Sequence, residues 1–314
     1  MSKVEISIII ATRNREEILW ETIDRCRKAI ANKNAEIIIV NDGDSSFNIP
    51  PGLAAPYISC FDNPGKGVST ARNFGASKAA GQILFFADDD MWINSEAIDW
   101  ITSYLLDKKN TEAVYVINWE YPAYLKDKLP ETKIGRYVLS SNYHTLWGRL
   151  HKPGTQPTSG LYRYHSIGSG SLVIPKKIFT MAGGYNDKMI FQGEDADRVG
   201  KFNKKEIPIY VVFDVTLYHN HSDRLEINNF LKRIYDGFGS EFNAVKAGMA
   251  IPLGQTTYKG FQKAAFEFSR RTEKGWISFL DFLPNNTIFK SFNNKLIGAL
   301  GGLQRYKQWR NFIN

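Results

Sequence analysis

Short β-branched apolar runs alternate with helical periodicities through the first hundred residues. Glu5–Ala11 (EISIIIA) is a continuous apolar run of strand length, the pattern of a strand covered on both faces. Between Glu16 and Ile30, Leu19, Ile23, Cys26 and Ile30 recur at steps of four, three and four, which is helical. Glu36–Val40 (EIIIV) is a second run, closed by the turn residues Asn41-Asp42-Gly43-Asp44. A loop with Pro50, Pro51 and Pro56 leads to a short strand near Tyr57–Phe61, and Asn63-Pro64-Gly65-Lys66-Gly67 turns the chain into an alanine-rich helix from about Val68 to Ala80. Gln82–Ala87 (QILFFA) is a third buried strand, ending at Asp88-Asp89-Asp90. Asn94 or Ser95 caps a further helix, with Ile98, Ile101 and Leu105 on one face. Strands alternating with helices predict right-handed βαβ units and an α/β fold around a mostly parallel central sheet flanked by helices.

The pattern then changes. Residues 119–165 are rich in Tyr, Pro, Gly and Lys without a clear period, and are expected to form long loops or a flexible lid. Gly168–Ile174 resumes a strand pattern, Pro175–Ala182 reads as a short helix and Tyr210–Leu217 as a strand. Near the end, Leu296, Leu300, Leu303, Tyr306, Trp309 and Ile313 recur at helical steps. The expected division is 1–223 (as 1–118 and 119–223), followed by a mainly helical C-terminal extension, 224–314.

Charge sharpens that division. The 314 residues hold 40 Lys+Arg and 32 Asp+Glu, a net charge of +8. Residues 224–314 hold 14 Lys+Arg against 6 Asp+Glu, so the whole excess lies there, together with 16 of the 42 aromatics. A uniformly basic nucleic-acid-binding protein is not patterned this way, and no nucleic-acid partner is expected. Cys26 and Cys60 cannot make a disulfide framework, and no C-x-x-C spacing suggests zinc. No apolar run reaches the ~18–20 residues of a membrane span, and the N-terminal apolar run is too short for a signal-peptide core. A reduced, cytoplasmic setting is expected. The helix over Lys295–Ile313 has two level readings: docking within the protein or on a second subunit, or lying on an anionic membrane surface at the inner face of the cell membrane. Gly298, Gly301 and Gly302 weaken it as a helix. Oligomeric state stays open.

Ligands of parallel α/β sheets bind beyond the C-terminal strand ends. Thr12-Arg13-Asn14, Asn41-Asp42-Gly43 and Asp88-Asp89-Asp90 all follow strands. Three adjacent carboxylates repel one another unless a cation holds them, and oxygen ligands suit Mg²⁺ or Mn²⁺; the plain alternative is a solvated loop with one Asp capping a helix. Asp42 is either a turn former or an acceptor for a base N–H or ribose hydroxyl. Lys66 and Arg72 flank a helix start that favours phosphate, although Gly65-Lys66-Gly67 is neither a P-loop nor a full dinucleotide fingerprint. Gly193-Glu194-Asp195-Ala196-Asp197 supplies either a general base or merely an acidic helix N-terminus. His219 and His221, at i and i+2 after a strand, are metal-ligand candidates or packed and hydrogen-bonded histidines.

These segments resemble family 2 glycosyltransferases. The likeness rests on SIIIATRNR (7–15), IIIVNDGD (37–44), NPGKGVSTARNFGASKAAGQILFFADDD (63–90) and GSLVIPKKIFTMAGGYNDKMIFQGEDAD (170–197). It implies the GT-A fold, with 1–118 as a nucleotide-binding half and 119–223 as an acceptor-binding half. It further implies an inverting, metal-dependent transfer of a sugar from a nucleotide-diphosphate donor, a UDP-sugar, to a hydroxyl of a saccharide or lipid-linked saccharide, in bacterial surface polysaccharide synthesis (O-antigen, capsule or lipopolysaccharide). By position, Thr12, Arg13 and Asn14 would line the uridine pocket, Asp42 would accept from uracil, and Lys66 and Arg72 would lie near the nucleotide. Asp88 would contact ribose or sugar and Asp90 the Mn²⁺ or Mg²⁺, with Asp89 ambiguous because a triple Asp allows more than one register. Asp195 would be the base and Glu194 an acceptor contact, with His219 or His221 a further metal ligand. Arg198 and Lys201 follow at loose spacing for the family's basic pair. Two other readings compete: a non-catalytic nucleotide-sugar-binding or scaffold subunit, and a nucleotidyltransferase, which would want glycine in the Thr12–Arg15 loop.

Overall fold

The computed structural model describes residues 3–150, 156–165, 168–189, 193–246, 258–286 and 288–313. Residues 151–155 of the expected lid and 190–192 of the family-like segment lie outside them. The chain packs as two compact units, 1–120 with 153–220 and 121–152 with 221–314. The stretch 121–152, read from sequence with the acceptor half, thus groups with the C-terminal region.

The strands are β1 (Ile6–Thr12), β2 (Ala35–Asn41), β3 (Ile58–Asp62), β4 (Ile83–Asp88), β5 (Met91–Trp92), β6 (Val114–Glu120), β7 (Leu161–Tyr164), β8 (Ser171–Pro175) and β9 (Ile209–His219). The helices are α1 (Glu16–Ala29), α2 (Val68–Lys78), α3 (Ser95–Trp100), α4 (Ala123–Lys128), α5 (Lys133–Ser140) and α6 (Leu146–Arg149), then α7 (Lys176–Met181), α8 (Glu194–Lys204), α9 (Ile227–Lys246), α10 (Gly260–Arg271), α11 (Glu273–Phe282) and α12 (Lys290–Ile313).

In the first unit the strands form one sheet in the order β3-β2-β1-β4-β8-β6-β9-β5, with β7 on β9. The first four are parallel, as the βαβ pattern requires. Ile8 of β1 lies between Ile37 and Phe85, and all three are fully buried, which is why those runs read as unbroken apolar sequence. The same register carries Thr12 to Asn41, Asn41 to Asp62 and Ala11 to Asp88. It thereby gathers the polar strand ends along one edge. Beyond β4 the sheet is mixed: β8 runs antiparallel to both β4 and β6, β9 parallel to β6, and β5 and β7 antiparallel to β9. A register shift between Ile117 and Asn118 leaves Phe213 to Val215 of β9 without partners on β6. Asn94, the actual cap of α3, accepts from the Ala97 N–H at 3.1 Å. The helix continues as a π-type turn that buries Ile101 and Leu105.

In the second unit, much of 121–150 is helical where loops were expected. Thr132 caps α5 by accepting from Gly135 N at 2.9 Å, and Thr145 caps α6 by accepting from Gly148 N at 3.0 Å. Ile134 and Val138, four apart, are buried. Helices of four to eight residues offer at most two periods, too few to stand out in a sequence window. Lys133 Nζ donates to the carbonyls of Leu280 and Asp281, and Asn294 to Ser140 at 2.9 Å. α12 is continuous despite its glycines. Its stripe Leu303, Tyr306 and Trp309 packs with Phe242 and Tyr258 and, at the margin, Phe238 and Phe266; each such buried side chain is worth about 1.5–3 kcal/mol. Gly301 has a packing reason, since a Cβ there would lie 3.3 Å from Ile234 Cδ1 of α9. The apolar face of α12 is therefore occupied by its own unit. No helix among the described residues is long and apolar enough to cross a membrane.

Candidate active site

Where β2 ends, a cleft of about 540 Å³ is lined by Arg13, Asn41 to Ser46, Asp62, Asn63 and Gly65 to Gly67. Asp42 Oδ1 accepts from Asn63 Nδ2 at 2.7 Å and from Gly67 N at 2.8 Å, so the carboxylate joins the strand end to the start of α2. Asn14, at φ 52°, clamps Asp44 through both its amide groups at 2.8 and 3.1 Å, and Arg13 meets Asp44 at 3.6 Å on the surface. Lys66 lines the same cleft.

The Asp triplet separates into three environments. Asp89 turns inward: its oxygens take the Thr12 hydroxyl at 2.8 Å and the Arg15 guanidinium. Burial pushes its carboxyl up to about 7, with Asp90 and Asp88 adding to the rise and Arg15 and Thr12 opposing it. Asp90, fully buried, takes Arg15 Nη2 on Oδ2 at 3.0 Å and meets His219 Nε2 on Oδ1 at 2.8 Å. Asp88 is the most exposed of the three, at 34% for its side chain. Arg15 thus bridges Asp89 and Asp90, whereas Asp88 is held by Arg72.

Strand pairing explains His219. Met91 of β5 lies opposite it on β9, and Asn220 N donates to the Asp90 carbonyl at 2.8 Å. The Trp119 ring meets the imidazole edge-on, centroids 4.7 Å apart. Asp88 Oδ2 lies 4.0 Å from its Nε2. β9 stops at His219, and His221 follows it two residues on. His221 belongs to the other unit, where its Nδ1 meets Tyr121 Oη at 2.8 Å and its Nε2 the Arg224 guanidinium.

Arg72 ties the triplet to the second acidic motif. Buried on α2, it donates to Asp88 Oδ1 at 3.0 Å and to Glu194 Oε1 at 2.8 Å. Burial works against its charge, but Tyr185 and the carboxylates of Glu194, Asp88 and Asp195 outweigh that and raise its pKa. One residue on, Asp195 receives the backbone N–H of Ser169 at 3.2 and 3.3 Å and the Ser169 hydroxyl. Tyr185 Oη donates to Ser169 Oγ at 2.8 Å. Burial, then Glu194, push the Asp195 carboxyl up to about 7 against the pull of Arg72 and Ser169. Gly170, next to Ser169, admits the Asp88 carboxylate, with which a Cβ would collide.

Arg198 and Lys201 face inward. Arg198 is fully buried among the rings of Tyr185 (4.2 Å), Phe179 (4.8 Å) and Phe202 (4.9 Å), and none of its guanidinium nitrogens has a hydrogen-bond partner among the described residues. Lys201 bonds Asp197 at 3.0 Å and the Gly184 carbonyl at 3.1 Å. Sequence reasoning missed Arg15, Ser169, Tyr185 and Trp119 as parts of this cluster. Arg15 stood inside the segment that carries the family likeness, whereas Ser169 has no pattern of its own.

The model of the family described as glycosyl transferase family 2 matches residues 7–167, just over half of the chain. The chain belongs to that family. EpsH of Bacillus subtilis (strain 168), whose name designates a glycosyltransferase, is 32% identical over 103 residues, 31% of this chain and 29% of its own length. Glycosyltransferase GlyA of Streptococcus pneumoniae serotype 4 (strain ATCC BAA-334 / TIGR4) is 28% identical over 114 residues, 35% of this chain and 16% of its own. The chain thus spans less than a third of the length of either relative. A crystal structure of the mannosyltransferase PcManGT of Pyrobaculum calidifontis superposes with a TM-score of 0.53 at 12% identity, over 98% of this chain and 88% of that one. The fold is GT-A, and the helical C-terminal part lies within the superposed length. In this chain Arg72 joins the Asp88–Asp90 strand end to the Glu194-Asp195 helix start.

Ser169 bonds Asp195 through both hydroxyl and N–H, so if Asp195 acts as the base expected from the sequence, Ser169→Ala is expected to lower kcat about tenfold with little change in KM. Losing a hydrogen bond to the ionised form raises a carboxyl pKa. The acidic limb of the pH–rate profile should therefore move to higher pH, which a structural role for Ser169 would not produce. An unshifted limb sinks this assignment.

Proposed function

We propose that the protein is an inverting glycosyltransferase that moves a sugar from a UDP-linked donor to a hydroxyl of a saccharide or lipid-linked saccharide, in the synthesis of a bacterial surface polysaccharide. The observation that carries this reading is the bridge through Arg72, which sets a strand-end carboxylate, Asp88, beside the helix start that holds Asp195. The names of EpsH and GlyA support the reaction class.

In this reading the nucleoside end of the donor occupies the cleft at the end of β2, where Asp42 accepts from the base and Arg13 and Lys66 supply positive charge. Asp195 removes the proton of the acceptor hydroxyl. The freed oxygen forms a bond to the anomeric carbon from the face opposite the diphosphate. The bond to the diphosphate breaks, and its electron pair leaves with that group. Asp195 keeps the proton until solvent takes it. One displacement inverts the anomeric configuration. Arg72 holds Asp88 and Glu194 in place while charge shifts toward the diphosphate. A pKa near 7 suits a base at neutral pH, and a binding or scaffold module needs no such group.

A cation fits the donor set next to Asp195. Asp90 Oδ1 and His219 Nε2 approach to 2.8 Å, and Asp88 Oδ2 is 4.0 Å from the same nitrogen. Carboxylate oxygens with one imidazole suit Mn²⁺, and the Pyrobaculum calidifontis mannosyltransferase was crystallised with GDP-Man and Mn²⁺. When bound, such an ion supplies charge to offset that building on the diphosphate. Asp90→Ala is expected to abolish Mn²⁺ uptake, read as free Mn²⁺ by electron paramagnetic resonance, and His219→Ala to weaken it. Unchanged uptake in Asp90→Ala removes the metal assignment. The reaction itself is tested by release of nucleoside diphosphate from a panel of nucleotide sugars with Mn²⁺. Release from a single UDP-sugar is expected, and nucleotide binding without release from any donor would favour the non-catalytic subunit.

A further inference from the structure

The second unit turns apolar side chains to solvent along one corner. On α11, Trp276, Phe279 and Phe282 follow at steps of three, while Leu280 and Leu283 point into the unit. Phe282 is 84% exposed and Ile288 86%, one at each end of the turn into α12, and Phe292 on α12 is 49% exposed. Trp276, Phe279 and Phe292 form one chain of edge-on contacts, Trp276 to Phe279 at 6.3 Å and 74°, Phe279 to Phe292 at 6.3 Å and 90°. Scattered exposed apolar residues need no explanation, but a contiguous aromatic patch does.

The surroundings are mainly positive. Lys274 opens α11 two residues before Trp276, Lys290 lies two residues before Phe292, and Lys295 follows Phe292 by three, on the same helix face. All three are exposed. Two nearby acids are neutralised inside the unit: Glu267 bonds Arg270 at 3.1 Å and Arg310 at 2.9 Å, and Glu273 bonds Lys307 at 3.0 Å. Asp281 is exposed here, as is Glu131, whose backbone carbonyl takes the Asn285 amide. We propose that this corner, α11 with the turn and first helical turns that follow, inserts its aromatic and aliphatic tips into an anionic lipid bilayer, with Lys274, Lys290 and Lys295 at the headgroups.

Three observations favour that occupant. Trp and Phe beside lysines are the side chains of a membrane–water boundary. A second copy docked through the same patch about a two-fold axis would set lysine against lysine. The expected membrane helix, Lys295–Ile313, is not free for the role, because Leu303, Tyr306 and Trp309 are buried in the unit's own core. The proposal stands apart from the transfer chemistry, since it involves none of the strand-end residues.

Co-sedimentation of the full chain with vesicles tests it. Vesicles of 30% phosphatidylglycerol in phosphatidylcholine should bind the protein at 50 mM NaCl, and pure phosphatidylcholine should bind it much less. Phe282→Ser with Ile288→Ser should lower the partition coefficient at least tenfold. Lys274→Gln, Lys290→Gln and Lys295→Gln together should lower it about a hundredfold, at about fivefold per lysine, and flatten its salt dependence. Both variants change exposed side chains only. They should keep the parent circular dichroism and the parent rate of nucleoside diphosphate release, so failure of the membrane proposal and failure of the transferase reading show in different assays. Equal binding to neutral vesicles, or parent-like binding of the double variant, overturns the proposal. So does a parent dimer that the double variant converts to monomer, which would assign the corner to a subunit interface.

Discussion

Asp195→Asn is expected to cut transfer about a thousandfold, within the range lost with a general base, while donor binding stays within a few-fold. Asn preserves the shape of the group and its contact with Ser169, but cannot take a proton. The wild-type rate should rise through an apparent pKa near 7, since burial and Glu194 hold the Asp195 carboxyl at about 7 and only its ionised form serves. Stability runs the other way. Between about pH 4 and 7 the native protein keeps a proton on Asp195 that the unfolded chain has shed, so this group's contribution falls as pH rises through that window. Asp195→Asn is therefore expected to melt above the parent at pH 8, with the gap closing towards pH 5. Isothermal titration with UDP, initial rates and thermal melts at the two pH values check all three parts. Near-parental turnover removes Asp195 as the base.

Arg72→Met is expected to destabilise the fold by about 3–5 kcal/mol, the usual result of removing one side of a buried ion pair. Arg72 is 5% exposed and Glu194 8%, with Asp88 on the other guanidinium nitrogen. Methionine fills most of the volume but leaves two carboxylates facing one another without a cation. Adding Glu194→Gln should recover part of the loss, because it removes one of the stranded charges. Urea midpoints for parent, single and double variants measure this. A single-variant midpoint within experimental spread of the parent would show that the bridge carries little.

How much of this was legible in the sequence depended on what each segment touches. β1, β2 and β4 stand out because both faces of each are covered, so their runs contain almost nothing polar. β6 is as deeply buried, but it carries Tyr115, Asn118 and Trp119, which break the apolar run. α4 to α6 are too short to show a period. The convergence of the polar strand ends followed from the parallel pattern and needs no other information. The separation of Asp88, Asp89 and Asp90 did not, because three identical residues differ only in which neighbours they meet, and Thr12 and Arg15 reach Asp89 from 77 and 74 residues away. Ser169 and Tyr185 depend on the same kind of long-range placement. The tail's helical stripe was visible, but its partners Phe242 and Tyr258 were not, so packing and membrane contact looked equally good.

The way the chain is divided has a consequence for how such a protein can be cut and evolve. The first unit is left and re-entered, at 120–121, 152–153 and 220–221, so the second is assembled from an internal stretch and the C-terminal end. Ending the chain at 220 would not remove a separable module. It would strip α5 of α12 and leave Ile134, Val138, Leu146 and Trp147, all buried in the full chain, without the helices of their own unit. Recombination at the C-terminal boundary alone would do the same. An exchange that preserves folding must carry both segments, so the two are expected to be inherited as one unit despite the 68 residues between them.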